Sequence, residues 1–132
     1  MGMDPVLEDI PETGNVYERI THFYESILNK IVGKKTYPSA VKPNYAFYAQ
    51  YGMEGIEALC RVISLYRREG IPVILDVKRG DIGKTAEAYA RESFEFFKAD
   101  AVTLSPYMGY DSIDPFIKAN PDGVFYILTK TS

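Results

Sequence analysis

Cysteine and histidine each occur once, as Cys60 and His22. A lone thiol excludes an intramolecular disulfide and a thiolate metal cluster, and it fits a reducing, cytoplasmic setting. A lone imidazole inside a helical pattern cannot build a His-rich zinc site, so no metal is expected. No apolar run approaches membrane-spanning length, and Met1 to Ile10 carries acids without the apolar segment of a secretory leader. Positive charge is also scarce: a net charge of −3 and a pI near 5.2 argue against a nucleic-acid or membrane binder. Repeats, low-complexity tracts and linkers are missing. What is present, 132 residues at 46% hydrophobic and 25% charged, has the make-up of one folded domain or part of one.

The chain is organised around Asp76-Val77-Lys78-Arg79-Gly80-Asp81-Ile82-Gly83. Ile71-Pro72-Val73-Ile74-Leu75 before it is apolar and β-branched, with proline at its start, and reads as a buried strand through Val77. The charges therefore fall at a strand's C-terminal end, with Asp76 and Lys78 on one side and Val77 on the other. After Gly80, residues Ala86, Tyr89, Ala90, Ser93, Phe94 and Phe97 recur at helical spacing down to about Lys98, with Asp81 or Gly83 placed to begin the helix. A bland alternative is a solvated loop with one surface ion pair and Asp81 as a helix cap. Position tells against it, because parallel α/β proteins bind ligands at the carboxyl ends of their strands. Gly83-Lys84-Thr85 imitates the tail of a phosphate-binding P-loop, but that motif needs glycine where Lys78 stands.

Elsewhere, helix and strand alternate. Met1 to Asp4 is either a loose terminus or the last residues of a strand. Asn15 with Glu18 forms a capping pair for a helix whose apolar face is Val16, Ile20, Phe23, Ile27 and Ile31, closing at Gly33. Ala40 to Pro43 is a short strand carrying Lys42, and the aromatic run Asn44 to Tyr48 follows. Met53 to Arg68 is a helix with Ile56, Leu59, Cys60, Ile63 and Tyr66 on one side, closed by Gly70. Ala99 to Leu104 is a strand with the loop Ser105 to Gly109. A short helix at Ser112 to Lys118 and a turn at Pro121 to Gly123 lead into the strand Val124 to Leu128. This order predicts a parallel α/β sheet whose strand ends gather Asp4, Lys42, Asp76, Lys78, Ser105 and Ser132 on one edge. A (β/α)8 barrel typically takes roughly 250 residues, so the chain is either a small open sheet or about half a barrel.

Taken together, these segments resemble the orotidine 5′-phosphate decarboxylases, specifically the longer bacterial subtype. Gly2-Met3-Asp4-Pro5 is similar to the end of the family's first strand, Val41-Lys42-Pro43 with Ala46-Phe47-Tyr48 to the second, and Asp76 to Gly83 with Thr85-Ala86 to the third. Ser105-Pro106-Tyr107-Met108-Gly109 and Lys130-Thr131-Ser132 match the fourth and fifth. The resemblance implies an α/β fold, a parallel (β/α)8 TIM barrel of which residues 1–132 supply the N-terminal portion, from the end of strand 1 to strand 5. It implies loss of carbon dioxide from orotidine 5′-monophosphate to give uridine 5′-monophosphate, in pyrimidine biosynthesis, without cofactor. Lys78 would donate the proton, Asp76 would lie beside the substrate carboxylate, Lys42 would hold Asp76 and a ribose hydroxyl, Asp4 would bind the ribose, and Ser132 would touch the base. Asp81, with Ile82 and Thr85, would complete the partner's site in a homodimer.

Electrostatics fits those roles. A carbanion forms on decarboxylation, and a lysine kept charged by flanking carboxylates stabilises it and then protonates it. The alternation of Lys42, Asp76, Lys78 and Asp81 lets four charges persist away from bulk water. The family's phosphate-binding residues fall on later strands and loops, so the isolated chain is expected to be inactive or nearly so. Two alternatives remain: a magnesium-dependent sugar-phosphate decarboxylase or aldolase of the same barrel group, and a non-catalytic half-barrel subunit.

Overall fold

The structure, a computed structural model, describes residues 1–130. Ser132, expected to touch the base, lies outside the described residues, as does Thr131. The chain forms two compact units, Met1–Val73 and Ile74–Ser132, which are taken in turn.

In the first unit, β1 (Gly2–Met3) and β2 (Lys42–Pro43) pair in parallel, Gly2 opposite Lys42 and Met3 opposite Pro43. Thus Gly2 and Met3 are strand and not a loose terminus. Helix α1 (Val16–Lys34) opens on the expected box: Asn15 accepts from the Glu18 amide, and the Glu18 carboxylate accepts from the Asn15 amide. It closes one residue later than expected, with Lys35 in the left-handed region, so Gly33 sits inside the helix. Its buried stripe is Ile20, Thr21, Tyr24 and Leu28, whereas Val16, Phe23, Ile27 and Ile31 are only half-buried. The stripe turns because Tyr24 is recruited inward: the Tyr66 hydroxyl donates to the Tyr24 carbonyl, and the Tyr24 and Tyr48 rings lie 6.5 Å apart. Such buried phenols anchor a core while still demanding a polar partner.

The aromatic run after β2 is a helix, α2 (Tyr45–Ala49), capped by the Asn44 side chain on the Ala46 amide. Helix α3 (Gly52–Arg68) matches the expected span. Its buried face, Ala58, Leu59, Val62, Ile63, Leu65 and Tyr66, leaves Ile56 and Cys60 at the margin. Gly70, at φ 72°, ends it as expected. Between α2 and α3, the carbonyl of Tyr48 lies 2.0 Å from where a Cβ on Gly55 would stand, so only glycine fits there. Val41 then bridges Val73 in parallel.

The second unit is a parallel three-stranded sheet in the order β3 (Ile74–Arg79), β4 (Ala101–Leu104), β5 (Val124–Ile127). Two crossover segments connect the strands, as parallel pairing requires. The first is α4 (Gly83–Arg91), running into a π-helical turn at Glu92–Phe96 and ending at Lys98, whose φ is 56°. A uniform α-helix to Lys98 was expected; instead one wider turn intervenes, with the Phe97 amide reaching the Glu92 carbonyl. The second crossover holds a 3-10 turn at Tyr110–Ser112 and α5 (Asp114–Ala119), with Pro115 in its first turn where no amide partner is lost. Strand β4 is buried throughout, but Val124 and Tyr126 of β5 are half exposed, against the expectation of a buried strand. Strand β5 is the sheet's edge and pairs only with β4 among the described residues. Likewise among the described residues, no helix is long and apolar enough to cross a membrane.

Candidate active site

Strand β3 begins at Ile74, later than expected, and runs two residues further than the expected end at Val77, so Lys78 as well as Asp76 stands within the strand. Its pairing with β4 is irregular. Leu75 faces Val102 and Arg79 faces Leu104, so β3 advances four residues where β4 advances two. This is a bulge, a device that re-aims side chains. Lys78 accordingly takes a left-handed backbone, φ 46°, which costs a non-glycine residue about 1–2 kcal/mol. Lys78 Nζ lies 2.6 Å from Asp76 Oδ1, an ion pair between one group that is half exposed and one that is nearly buried. Simple strand alternation foresaw that these two would meet, but the meeting depends on the bulge.

One polar residue supports both partners. Thr103, the only polar side chain in β4, donates its hydroxyl to Asp76 Oδ1 at 2.9 Å and accepts from the Val77 and Lys78 amides at 3.0 and 2.9 Å. No motif points to Thr103, yet a threonine inside Ala101-Val102-Thr103-Leu104 is itself a signal: a buried hydroxyl in a strand must bond something. Arg79, also overlooked, ends β3 and pairs with Glu92 of the π turn. Below the strand end, Gly80 abuts Ser105. A Cβ there would come within 2.8 Å of the Ser105 Cβ, and the Ser105 amide donates to the Arg79 carbonyl at 2.7 Å.

Asp81 does not cap α4. Its carboxylate accepts from the adjacent Ile82 amide, and the cap position is Ile82, which offers no side-chain acceptor. Ile82 and Thr85 are exposed and Asp81 is half exposed, so this end of α4 faces outward. A groove of about 700 Å3 beside it is lined by Ile82, by Gly83, Glu87 and Arg91 of α4 and by Asp114 and Lys118 of α5; neither Asp76 nor Lys78 reaches it.

In the first unit, Lys42 lies on β2 and Asp4 follows β1 on the neighbouring strand, exposed. Asp4 is close enough to raise the phenols of Tyr24 and Tyr48, although burial is the larger cause for each, and Tyr48 holds its proton far above the usual range. Thus the second unit brings Asp76 and Lys78 together, the first presents Lys42 on β2 and Asp4 just after β1, and Asp81, Ile82 and Thr85 stand apart at the head of α4. Among the described residues, no group of three or more His, Cys, Asp or Glu side chains could hold a metal ion.

Residues 18–132 match the profile of the orotidine 5′-phosphate decarboxylase / HUMPS family. The chain belongs to this family. Over its full length it is 43% identical to the orotidine 5′-phosphate decarboxylase of Herpetosiphon aurantiacus, covering 48% of that protein. It is 56% identical over 93 residues, 70% of the chain, to that of a Roseiflexus species, covering 33% of it. The solved structure of the Leishmania donovani OMP decarboxylase superposes with a TM-score of 0.82 at 40% identity, over 99% of this chain and 48% of that one. The chain therefore spans between about a third and a half of the length of these family members, and its fold is part of the family's parallel (β/α)8 barrel.

Proposed function

We propose that residues 1–132 are the N-terminal portion of a single barrel domain that decarboxylates orotidine 5′-monophosphate to uridine 5′-monophosphate, a step of pyrimidine biosynthesis. The observation that carries this reading is the 2.6 Å pair between Lys78 and Asp76 on the bulged end of β3, in a chain of this family. The ring–carboxylate bond breaks, carbon dioxide leaves, and its electron pair stays on the pyrimidine carbon. That carbon takes a proton from Lys78 Nζ, and the neutral amine regains one from solvent. No redox step occurs, so the reaction calls for no redox cofactor.

A lysine ammonium beside a nearly buried carboxylate suits this chemistry, because a cation held at the reacting carbon stabilises the negative charge that develops there. Asp76 is then the group beside the departing carboxylate. Asp4 and Lys42, on the first unit, are the ribose-binding groups of this reading. Asp81, Ile82 and Thr85 face outward, which suits residues that complete the site of a second copy in a cytoplasmic homodimer. Ser132 is assigned to the base.

The test is uridine 5′-monophosphate formation. The 132-residue chain alone is expected to be inactive or nearly so. Joined to the C-terminal remainder of the Herpetosiphon aurantiacus relative, it should turn over, and Lys78→Ala should abolish that turnover while chelator leaves it unchanged. An active Lys78→Ala hybrid, or a wild-type hybrid that folds and does nothing, would sink the reading.

A further inference from the structure

Strand β3 carries two more residues than β4 between the paired positions Leu75–Val102 and Arg79–Leu104. Surplus residues in a bulge leave backbone amides without ladder partners. Here the amides of Val77 and Lys78 both reach one atom, Thr103 Oγ1, at 3.0 and 2.9 Å. A hydroxyl oxygen offers two lone pairs and one hydrogen. Both lone pairs are taken by amides, so the hydrogen has one place to go, Asp76 Oδ1 at 2.9 Å. The same carboxylate oxygen receives Lys78 Nζ at 2.6 Å. The hydroxyl direction is therefore fixed by the backbone of the bulge, and the carboxylate is oriented by the hydroxyl.

We propose that Thr103 is a positioning residue: through one saturated hydroxyl it ties the left-handed backbone at Lys78 to the orientation of Asp76, and so sets where the lysine ammonium points. The consequence for turnover rests on the decarboxylase reading; the consequence for geometry does not. Thr103 touches neither substrate nor reacting atoms in this scheme. It acts through its two neighbours.

A rival account treats Thr103 as a core residue chosen for its branched shape. The two accounts rank substitutions in opposite order. Valine keeps the shape and loses the hydroxyl, whereas serine keeps the hydroxyl and loses the methyl. Positioning therefore predicts that Thr103→Ser is benign and Thr103→Val is not; a shape role predicts the reverse.

The first measurement is amide hydrogen exchange by NMR on the 132-residue chain. Thr103→Val should speed exchange at Val77 and Lys78 by about tenfold, the loss of roughly one hydrogen bond each, with Leu75 and Val102 unchanged as evidence that the sheet persists. Thr103→Ser should leave all four close to wild type. The second is steady-state kinetics on the hybrid described above. Thr103→Val should lower kcat about a hundredfold, the scale of a misplaced reacting group, with little change in KM, and serine should recover most of it. Unchanged exchange in the valine variant, or a serine variant worse than valine in either assay, overturns the inference. A hybrid without activity whose exchange rates still follow the serine–valine ranking keeps the inference and overturns the decarboxylase reading instead.

Discussion

Arg79 and Glu92 meet in a two-pronged ion pair: Arg79 Nη2 lies 2.8 and 3.1 Å from the two Glu92 carboxylate oxygens, and Nε lies 3.3 Å from the first. The Tyr89 ring covers the same guanidinium, its centroid 4.2 Å from the central carbon. Arg79 is the last residue of β3 and Glu92 the first of the π turn, so the pair fastens the strand bearing Lys78 to the helix that follows it.

Arg79→Lys should therefore not be conservative. An ammonium cannot reproduce the planar fork or the stacking on Tyr89, and the loss should cost about 2 kcal/mol, in the range of hydrogen bonds to charged groups. Chemical denaturation of Arg79→Lys and Glu92→Gln should show similar losses. A double variant no worse than either single one would show that the two act together; full additivity would count against the coupling.

Gly80→Ala should destabilise the second unit by about 1–3 kcal/mol, the usual cost of overpacking. A Cβ at this position would stand 2.8 Å from the Ser105 Cβ and 3.1 Å from the Ser105 carbonyl oxygen, and backbone cannot move aside as a flexible side chain can. Ser105→Gly should recover part of the loss, because it removes the nearer obstacle and leaves the carbonyl. A Gly80→Ala variant with unchanged melting would contradict the close approach.

How much of this could be read in the residue order depends on range. The Asn15–Glu18 box, the Gly70 stop and the strand–helix alternation are local, and the structure has them where expected. The meeting of Asp76 and Lys78 was legible from alternation, but the bulge that makes it was not, because a bulge exists only relative to β4, whose register no local pattern sets. Of the two residues placed to begin α4, Gly83 is its first residue, whereas Asp81 stands one position short of the cap, Ile82, and serves the Ile82 amide instead. The stripe of α1 turned toward Tyr24 because Tyr66 and Tyr48, each more than twenty residues away, drew it in. Thr103 was overlooked since its three partners lie on another strand.

The buried phenols give the first unit an alkaline limit. Burial pushes Tyr66 up to about 12 and raises Tyr24 and Tyr48 as well. Unfolded, each would lose its proton near pH 10. A folded pKa above the unfolded one means that stability is fully present below about pH 10 and is lost as pH climbs toward the folded value. Unfolding followed by far-UV circular dichroism should therefore set in between about pH 10 and 12, with part of the tyrosinate absorbance appearing in the same step. Tyr66→Phe removes a hydrogen bond to the Tyr24 carbonyl and should lower stability at neutral pH, yet shift that alkaline midpoint upward. A midpoint indifferent to the substitution would exclude Tyr66 as a cause.

Lys78 offers the sharpest separation of stability from function. Its φ of 46° is a conformation that glycine adopts without penalty and other residues do not. Lys78→Gly should therefore be more stable than Lys78→Ala by up to about 1 kcal/mol, the relief of left-handed strain less the added freedom of the unfolded chain. Lys35, at φ 53° where α1 ends, provides the control. Lys35→Gly should outlast Lys35→Ala by a similar margin, since both sites share the backbone conformation but only one stands beside Asp76. In the hybrid assay, both changes at position 78 should abolish uridine 5′-monophosphate formation and both changes at position 35 should spare it. Strain of this kind persists only where surrounding bonds hold it in place, and at Lys78 those bonds come from Thr103. If glycine brings no gain over alanine at 78 while it does at 35, then the Lys78 backbone is not held left-handed in solution, and the geometry behind the 2.6 Å pair has to be redrawn.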